Sequence, residues 1–90
     1  MLRGCDHAVV QAATRYGVRL DDVDFAAMVE DIIASLADGA CRALMTQQQP
    51  NGREIWIVRI PAGPAVRVVY EPRLAMIITV LPRAYRAEDR

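Results

Sequence analysis

The residues from Arg53 to Leu81, REIWIVRIPAGPAVRVVYEPRLAMIITVL, decide the fold of this chain. β-Branched and aromatic residues are dense here, and the turns Pro61–Pro64 and Pro72-Arg73 divide them into three short runs. Runs of this length and composition between turn signals are typical of β-strands in an antiparallel meander. We therefore predict three strands, at about 53–60, 65–71 and 74–81.

The segment just before this stretch supplies a fourth strand. Residues 41–48 lead into Pro50-Asn51-Gly52, which is a strong turn signal. Their alanine and glutamine content leaves a helical extension of the preceding element as the alternative. For the last strand, the long apolar run of 74–81 favours a central place in the sheet.

The first half of the chain predicts two helices. Apolar residues recur at helical spacing near the start, at Ala8, Val9, Ala12, Ala13 and Tyr16. They predict a helix at about 6–16 that Gly17 ends, and a second apolar stripe predicts a helix at about 23–38. The expected fold class is α+β, a single domain over 1–90 in which two N-terminal helices pack on an antiparallel four-stranded β-meander. Residues 83–90 form a charged tail.

Side chains alternate across a strand, so each predicted strand can be divided into two faces. The face toward the helices is expected to hold Trp56, Val58, Ile60, Val66, Val68, Tyr70, Leu74, Met76, Ile78 and Val80. The opposite face would then carry Arg59, Arg67, Glu71 and Thr79 among aliphatic neighbours. That mixed surface is either a plain solvated face or a site for a partner or ligand.

The charges are balanced overall but divided along the chain. Residues 1–45 carry four arginines and seven acidic residues (net −3), whereas residues 46–90 carry seven arginines and four acidic residues (net +3). All eleven basic residues are arginine, which suits planar, bidentate contacts with phosphate. A GC-rich genome that favours arginine codons is the alternative explanation.

The sequence predicts a cytoplasmic protein without a metal or another cofactor. No apolar run approaches the roughly 18 residues of a membrane span, and the start lacks the order of a signal peptide. Cys5 and Cys41 have no CxxC spacing, and His7 does not complete a zinc site with them.

Two segments carry a resemblance to a known group of proteins. DHAVVQAATRYGV (residues 6–18) and VRVVYEPRLAMIITVLP (residues 66–82), in this order of helices and strands, resemble the fold shared by barnase, colicin-type transfer-RNA nucleases and the small RelE-like toxins. Short bacterial and phage domains of that group place a histidine in the first helix, then an arginine shortly before a glycine and an aliphatic residue. The matching positions are His7, Arg15, Gly17 and Val18, and a final Thr-Val pair is matched by Thr79 and Val80.

The resemblance implies a small ribonuclease-type toxin domain, active or degenerate, that acts on RNA by metal-independent acid–base cleavage. It implies that His7 transfers protons, that Arg15 and Arg67 hold phosphate and that Thr79 donates a hydrogen bond. The secondary, substrate-binding candidates are Arg59, Glu71 and Tyr85. Each has an ordinary alternative, such as a surface histidine or a pairing of Arg67 with Glu71.

A different class of function is the alternative hypothesis. The acidic first half can mimic nucleic acid toward a basic target, which would make the chain a non-catalytic protein-binding module such as a phage-encoded inhibitor of a host protein. The expected partners are therefore RNA or a protein, either an antitoxin or a host target. An exposed sheet edge is also a route to a homodimer.

Overall fold

A computed structural model describes residues 6–38, 43–60 and 63–82 of the chain. Two helices, α1 (Asp6–Tyr16) and α2 (Asp22–Asp38), come first. Four strands follow them: β1 (Ala43–Gln48), β2 (Glu54–Arg59), β3 (Ala65–Glu71) and β4 (Met76–Leu81). The strands lie in the order β1-β2-β3-β4, and every neighbouring pair is antiparallel. The predicted α+β class, with N-terminal helices on a four-stranded meander, is confirmed.

Short local signals set the limits of the helices. Gly17 takes a left-handed φ of 67°, and its N–H donates to the carbonyl oxygen of Ala13 at 3.1 Å, which ends α1 as the sequence predicts. At the start of α2, the Asp21 N–H donates to Asp24 Oδ2 at 3.0 Å, and the Asp24 N–H donates to Asp21 Oδ1 at 2.9 Å. This reciprocal capping box lowers the pKa of Asp21, chiefly through the bond from the Asp24 N–H.

Both helices cover the same face of the sheet. α1 packs against β4, and α2 packs against β1, β2 and β4. The buried core holds Ala8, Ala12, Tyr16, Leu20, Phe25, Met28, Val29, Ile32, Trp56, Val58, Ile60, Val66, Val68, Tyr70, Ile77 and Val80. The face assignments predicted for β2 and β3 agree with this core, because alternation is uninterrupted where these two strands pair.

The prediction that β4 is a central strand is wrong, since β4 lies at an edge of the sheet. Its free side is covered by α1 instead of by a fifth strand. Gln11 Oε1 accepts the Val80 N–H at 3.0 Å, and Arg15 Nη1 donates to the Val80 carbonyl oxygen at 2.7 Å. The apolar character of β4 thus reflects burial between β3 and a helix.

The predicted core face of β4 is also partly wrong. A bulge between Val69 and Tyr70 of β3 pairs them with Thr79 and Ile77, and Ile78 is the extra residue. An extra residue reverses the side-chain alternation beyond it. Ile77 and Val80 are therefore the core residues of β4, and not Met76 and Ile78. Leu74, which was expected in the strand, lies in the preceding turn and is 61% exposed.

Residues 43–48 form a strand and not an extension of α2. The Ala43 N–H donates to Ser35 Oγ of α2 at 3.1 Å, which fixes the start of β1 against the helix. A bulge at Thr46 follows, and the Thr46 hydroxyl donates to the Ile55 carbonyl oxygen at 3.3 Å. The sequence left strand and helix open here because six uncharged residues with little β-branching have no clear period.

The Tyr16 hydroxyl joins α1 to two strands. It accepts the Arg67 N–H at 3.2 Å and donates to the Leu81 carbonyl oxygen at 2.7 Å. Arg67 and Leu81 are partners across β3 and β4, so the hydroxyl stands between backbone groups of two paired residues.

We expect Tyr16→Phe to lower the free energy of unfolding by about 1–2 kcal/mol, because it removes both hydrogen bonds and keeps the buried ring. Urea unfolding followed by the fluorescence of Trp56, the single tryptophan, measures this change. The control is Val10→Ala, at a side chain that is 63% exposed, where the change should stay within about 0.5 kcal/mol. Equal stability of Tyr16→Phe and the control would show that the hydroxyl contributes nothing.

Candidate functional site

Two of the residues predicted to be catalytic meet where α1 lies along β4. Arg15 donates to Val80, and the Thr79 hydroxyl donates to Gln11 Oε1. We call Gln11, Arg15, Thr79 and Val80 the α1–β4 seam. The Thr79 hydroxyl therefore donates its one hydrogen bond within the protein. Arg15 is exposed, and its guanidinium has further N–H groups for other contacts.

His7 lies on the same side of α1, one turn before Gln11 and two turns before Arg15. It is exposed, and no hydrogen bond or ion pair joins it to another described residue. Eight residues separate it from Arg15, which corresponds to about 12 Å along the helix axis. The structure thus brings Arg15 and Thr79 together at the seam, and His7 lies four residues before Gln11, about 6 Å along the helix axis.

Glu71 is the centre of a buried ion cluster at the opposite end of the sheet. Its side chain is 2% exposed in a protein where no other described charged residue is buried. Arg53 Nε donates to Oε1 at 3.2 Å, Arg73 Nε donates to Oε2 at 3.1 Å, and Arg73 Nη2 and its backbone N–H add two more bonds. Both carboxylate oxygens are therefore occupied, and Glu71 pairs with two arginines while its single negative charge compensates one of their two positive charges.

These donors hold the pKa of Glu71 far below its ordinary value. The hydrogen bonds from the Arg73 side chain are the largest cause, and they lower the pKa to about 2 against the opposing effect of burial. The same pairing raises the pKa of Arg73.

Arg59 and Arg67 lie on the sheet face away from the helices. Arg67 pairs with Ile57 on one side and Leu81 on the other, and Arg59 pairs with Ala65. The two arginines are therefore diagonal neighbours on one face, with roughly 7–8 Å between their Cα atoms. We call them the outer-face arginine pair.

The outer-face arginine pair has no acidic partner among the described residues. Arg59 is exposed and Arg67 is half-buried, and neither side chain donates a hydrogen bond to another described group. The Nε of Arg67 is buried without an acceptor. Glu71, the described carboxylate on that face, is already bound by Arg53 and Arg73. On the sheet, this pair therefore consists of two neighbouring cations without a counter-charge among the described residues.

Some predicted features lie outside the described residues, among them Tyr85, Cys5 and Cys41. Within the described ranges, no group of three His, Cys, Asp or Glu side chains is arranged to hold a metal ion. The described helices include none with the length and apolar character of a membrane span.

Comparison with known proteins gave no match to a family model, to a curated protein or to a solved structure. The likeness to the ribonuclease-toxin group is therefore carried by the residues of this chain alone, and it stays a proposal.

Sequence reasoning missed the residues that build the seam and the ion cluster. The sequence alone indicated no role for Gln11 and placed Tyr16 only among the apolar residues of the first helix. A buried tyrosine hydroxyl usually needs a partner, which was the available signal. Arg53 gave no signal, because it lies 18 residues from Glu71 and meets it only through strand pairing. Arg73 lies two residues from Glu71 and meets it in the turn after β3.

We expect the stability of the protein to fall as the pH is lowered from about 4.5 toward 2. The folded-state pKa of Glu71, about 2, is below its ordinary value of 4.5, so its contribution is complete above 4.5 and is lost as the pH falls through 2. Glu71→Gln should be less stable at neutral pH, and its difference from the wild type should shrink over this range. The exposed Glu30→Gln is the control. A Glu71 carboxyl that titrates near 4.5 by NMR would contradict the assignment.

Proposed function

We propose that the protein is an RNA-binding domain of the small ribonuclease-toxin class in degenerate form, which holds RNA phosphates without cleaving them. The observation that supports this proposal is the outer-face arginine pair, which has no described counter-charge. RNA supplies phosphate groups in a row, and arginine is the side chain best suited to contact them.

Cleavage needs an acid, a base and cations around one phosphate, within hydrogen-bond reach of it. Here His7 is about 12 Å along α1 from Arg15, and the Thr79 hydroxyl is bonded to Gln11. The Arg67 side chain lies on the outer face of the sheet, whereas α1 meets this residue at its backbone N–H, through the Tyr16 hydroxyl. Binding without cleavage is the activity that this arrangement favours.

We expect Arg67→Gln and Arg59→Gln each to weaken the binding of a short single-stranded RNA, measured by fluorescence anisotropy over a range of salt concentrations. Each variant should also reduce the slope of log K against log salt by about 0.7, the value for one lost phosphate contact. The matched control is Arg19→Gln, at an exposed arginine outside the sheet. Equal weakening by Arg19→Gln would refute the site.

Incubation of the protein with RNA in EDTA, beside His7→Ala, tests the degenerate form. We expect no cleavage by either protein. Cleavage by the wild type that His7→Ala abolishes would overturn the proposal and restore the acid–base mechanism with Arg15, Arg67 and Thr79.

A second candidate function is supported by the surface of α2. Asp22 and Glu30 are exposed, and between them Val23 is 75% exposed beside the acidic first turn. An exposed apolar residue among acids suits a basic protein surface, as expected for a protein-binding module that engages an antitoxin or a host target.

The charge reversals Asp22→Lys/Glu30→Lys should abolish capture of such a partner in a pull-down, because two positive charges would then face its basic surface. The capping residues Asp21 and Asp24 are unchanged, so the start of α2 is kept. Arg67→Gln is the control and should not affect capture. A pull-down unchanged by the double reversal would exclude α2 as the interface.

We propose the edge of β1 for a homodimer. The Ala43 N–H points away from β2 and donates to Ser35. Because the direction of backbone groups repeats every two residues in a strand, the N–H and C=O of Met45 also point away from β2. Residues 43–48 are uncharged, and Leu44 and Met45 are exposed, so two copies of this edge would meet without repulsion.

A further inference from the structure

We propose that the outer-face arginine pair, together with Ile57 and Leu81, forms a subsite for a single nucleotide. Its phosphate would lie on Arg67 and Arg59, and its sugar or base on the two aliphatic side chains. This inference deepens the proposed function, because it names the ligand that the RNA would present, and it rests on that function for the natural source of the nucleotide.

The first support is the state of the Arg67 guanidinium. Its Nε is buried and has no acceptor, although a charged N–H group without a hydrogen bond is unfavourable inside a protein. The backbone of Arg67 is held by Tyr16, which leaves the side chain free to turn about a fixed Cα. A rotation that brings Nε and one Nη to the surface satisfies both N–H groups with two oxygens of one phosphate.

The second support is the composition of the surroundings. Ile57 and Leu81 are the cross-strand partners of Arg67 on either side, and both are half-buried. Apolar neighbours lower the local dielectric and strengthen the attraction between arginine and phosphate. They also offer flat aliphatic contact to a ribose or a base, which an inorganic anion would not use.

The third support is the second cation. Arg59 lies diagonal to Arg67 on the same face and is exposed, without a described acidic partner. A phosphate monoester between the two side chains offers three terminal oxygens and a charge of about −2, which matches both arginines, whereas a carboxylate leaves one of two arginine charges uncompensated, as Glu71 does. The site therefore favours a phosphate over an acidic side chain.

NMR titration of the arginine Nε–Hε signals tests the subsite, with adenosine monophosphate, inorganic phosphate and acetate as probes. We expect the Arg67 signal to shift with both phosphates, with adenosine monophosphate binding more tightly and acetate producing no saturable shift. Arg67→Lys keeps the charge but not the planar fork, and it should weaken binding of the nucleotide by about ten-fold. Ile57→Ala should weaken the nucleotide but not inorganic phosphate. Arg19→Gln is the control and should change neither.

Saturable binding of acetate as tight as phosphate, or nucleotide binding that survives Arg67→Lys in a folded protein, would overturn the subsite. Trp56 fluorescence reports whether each variant is folded. Nucleotide binding at Arg67 without RNA binding would refute the proposed function and leave the subsite standing. RNA binding that depends on both arginines, without a shift from either phosphate, would refute the subsite alone.

Discussion

The position of α1 depends on the free backbone of β4. An edge strand presents N–H and C=O groups that need partners, and in this sheet Gln11 supplies the acceptor and Arg15 the donor at a single residue, Val80. Two side chains thus do locally what a neighbouring strand would do. Because Tyr16 lies one residue further along and bridges Arg67 to Leu81, the same helix also fastens the end of β3 to that of β4. The burial of Ala8 and Ala12 in the core follows from this placement.

The arginines of the sheet fall into two groups with different roles. Arg53 and Arg73 share the buried carboxylate of Glu71, which binds both side chains and compensates one of their two positive charges. Arg59 and Arg67 have no carboxylate partner among the described residues. A count of charges along the sequence treats all four alike, and only the three-dimensional structure separates the two arginines bound to Glu71 from the two without a described acidic partner.

The fold was predictable where local chemistry decides it. Proline and glycine turns separate the strands, and Gly17 ends α1 in the conformation that glycine tolerates best. The place of β4 was not predictable, because an apolar strand looks the same whether a strand or a helix covers it. The bulge at Ile78 was not predictable either, since it arises from the pairing of β4 with β3. It places Ile77 in the core where Ile78 was expected. Of the candidate site, the shared face of Arg59 and Arg67 followed from alternation, whereas the engagement of Thr79 by Gln11 required the tertiary structure.

The two edges of the sheet also differ, because α1 binds the backbone of β4 at Val80, whereas β1 is the other edge strand. A sheet with two open edges can add copies at both and grow into a fibre, because every addition exposes a new edge. In this protein, α1 closes one end, so pairing through β1 would consume the remaining described edge of each copy. Association of that kind would be symmetric and would end at two chains, because Gln11 and Arg15 already occupy the backbone groups of Val80 on the other edge.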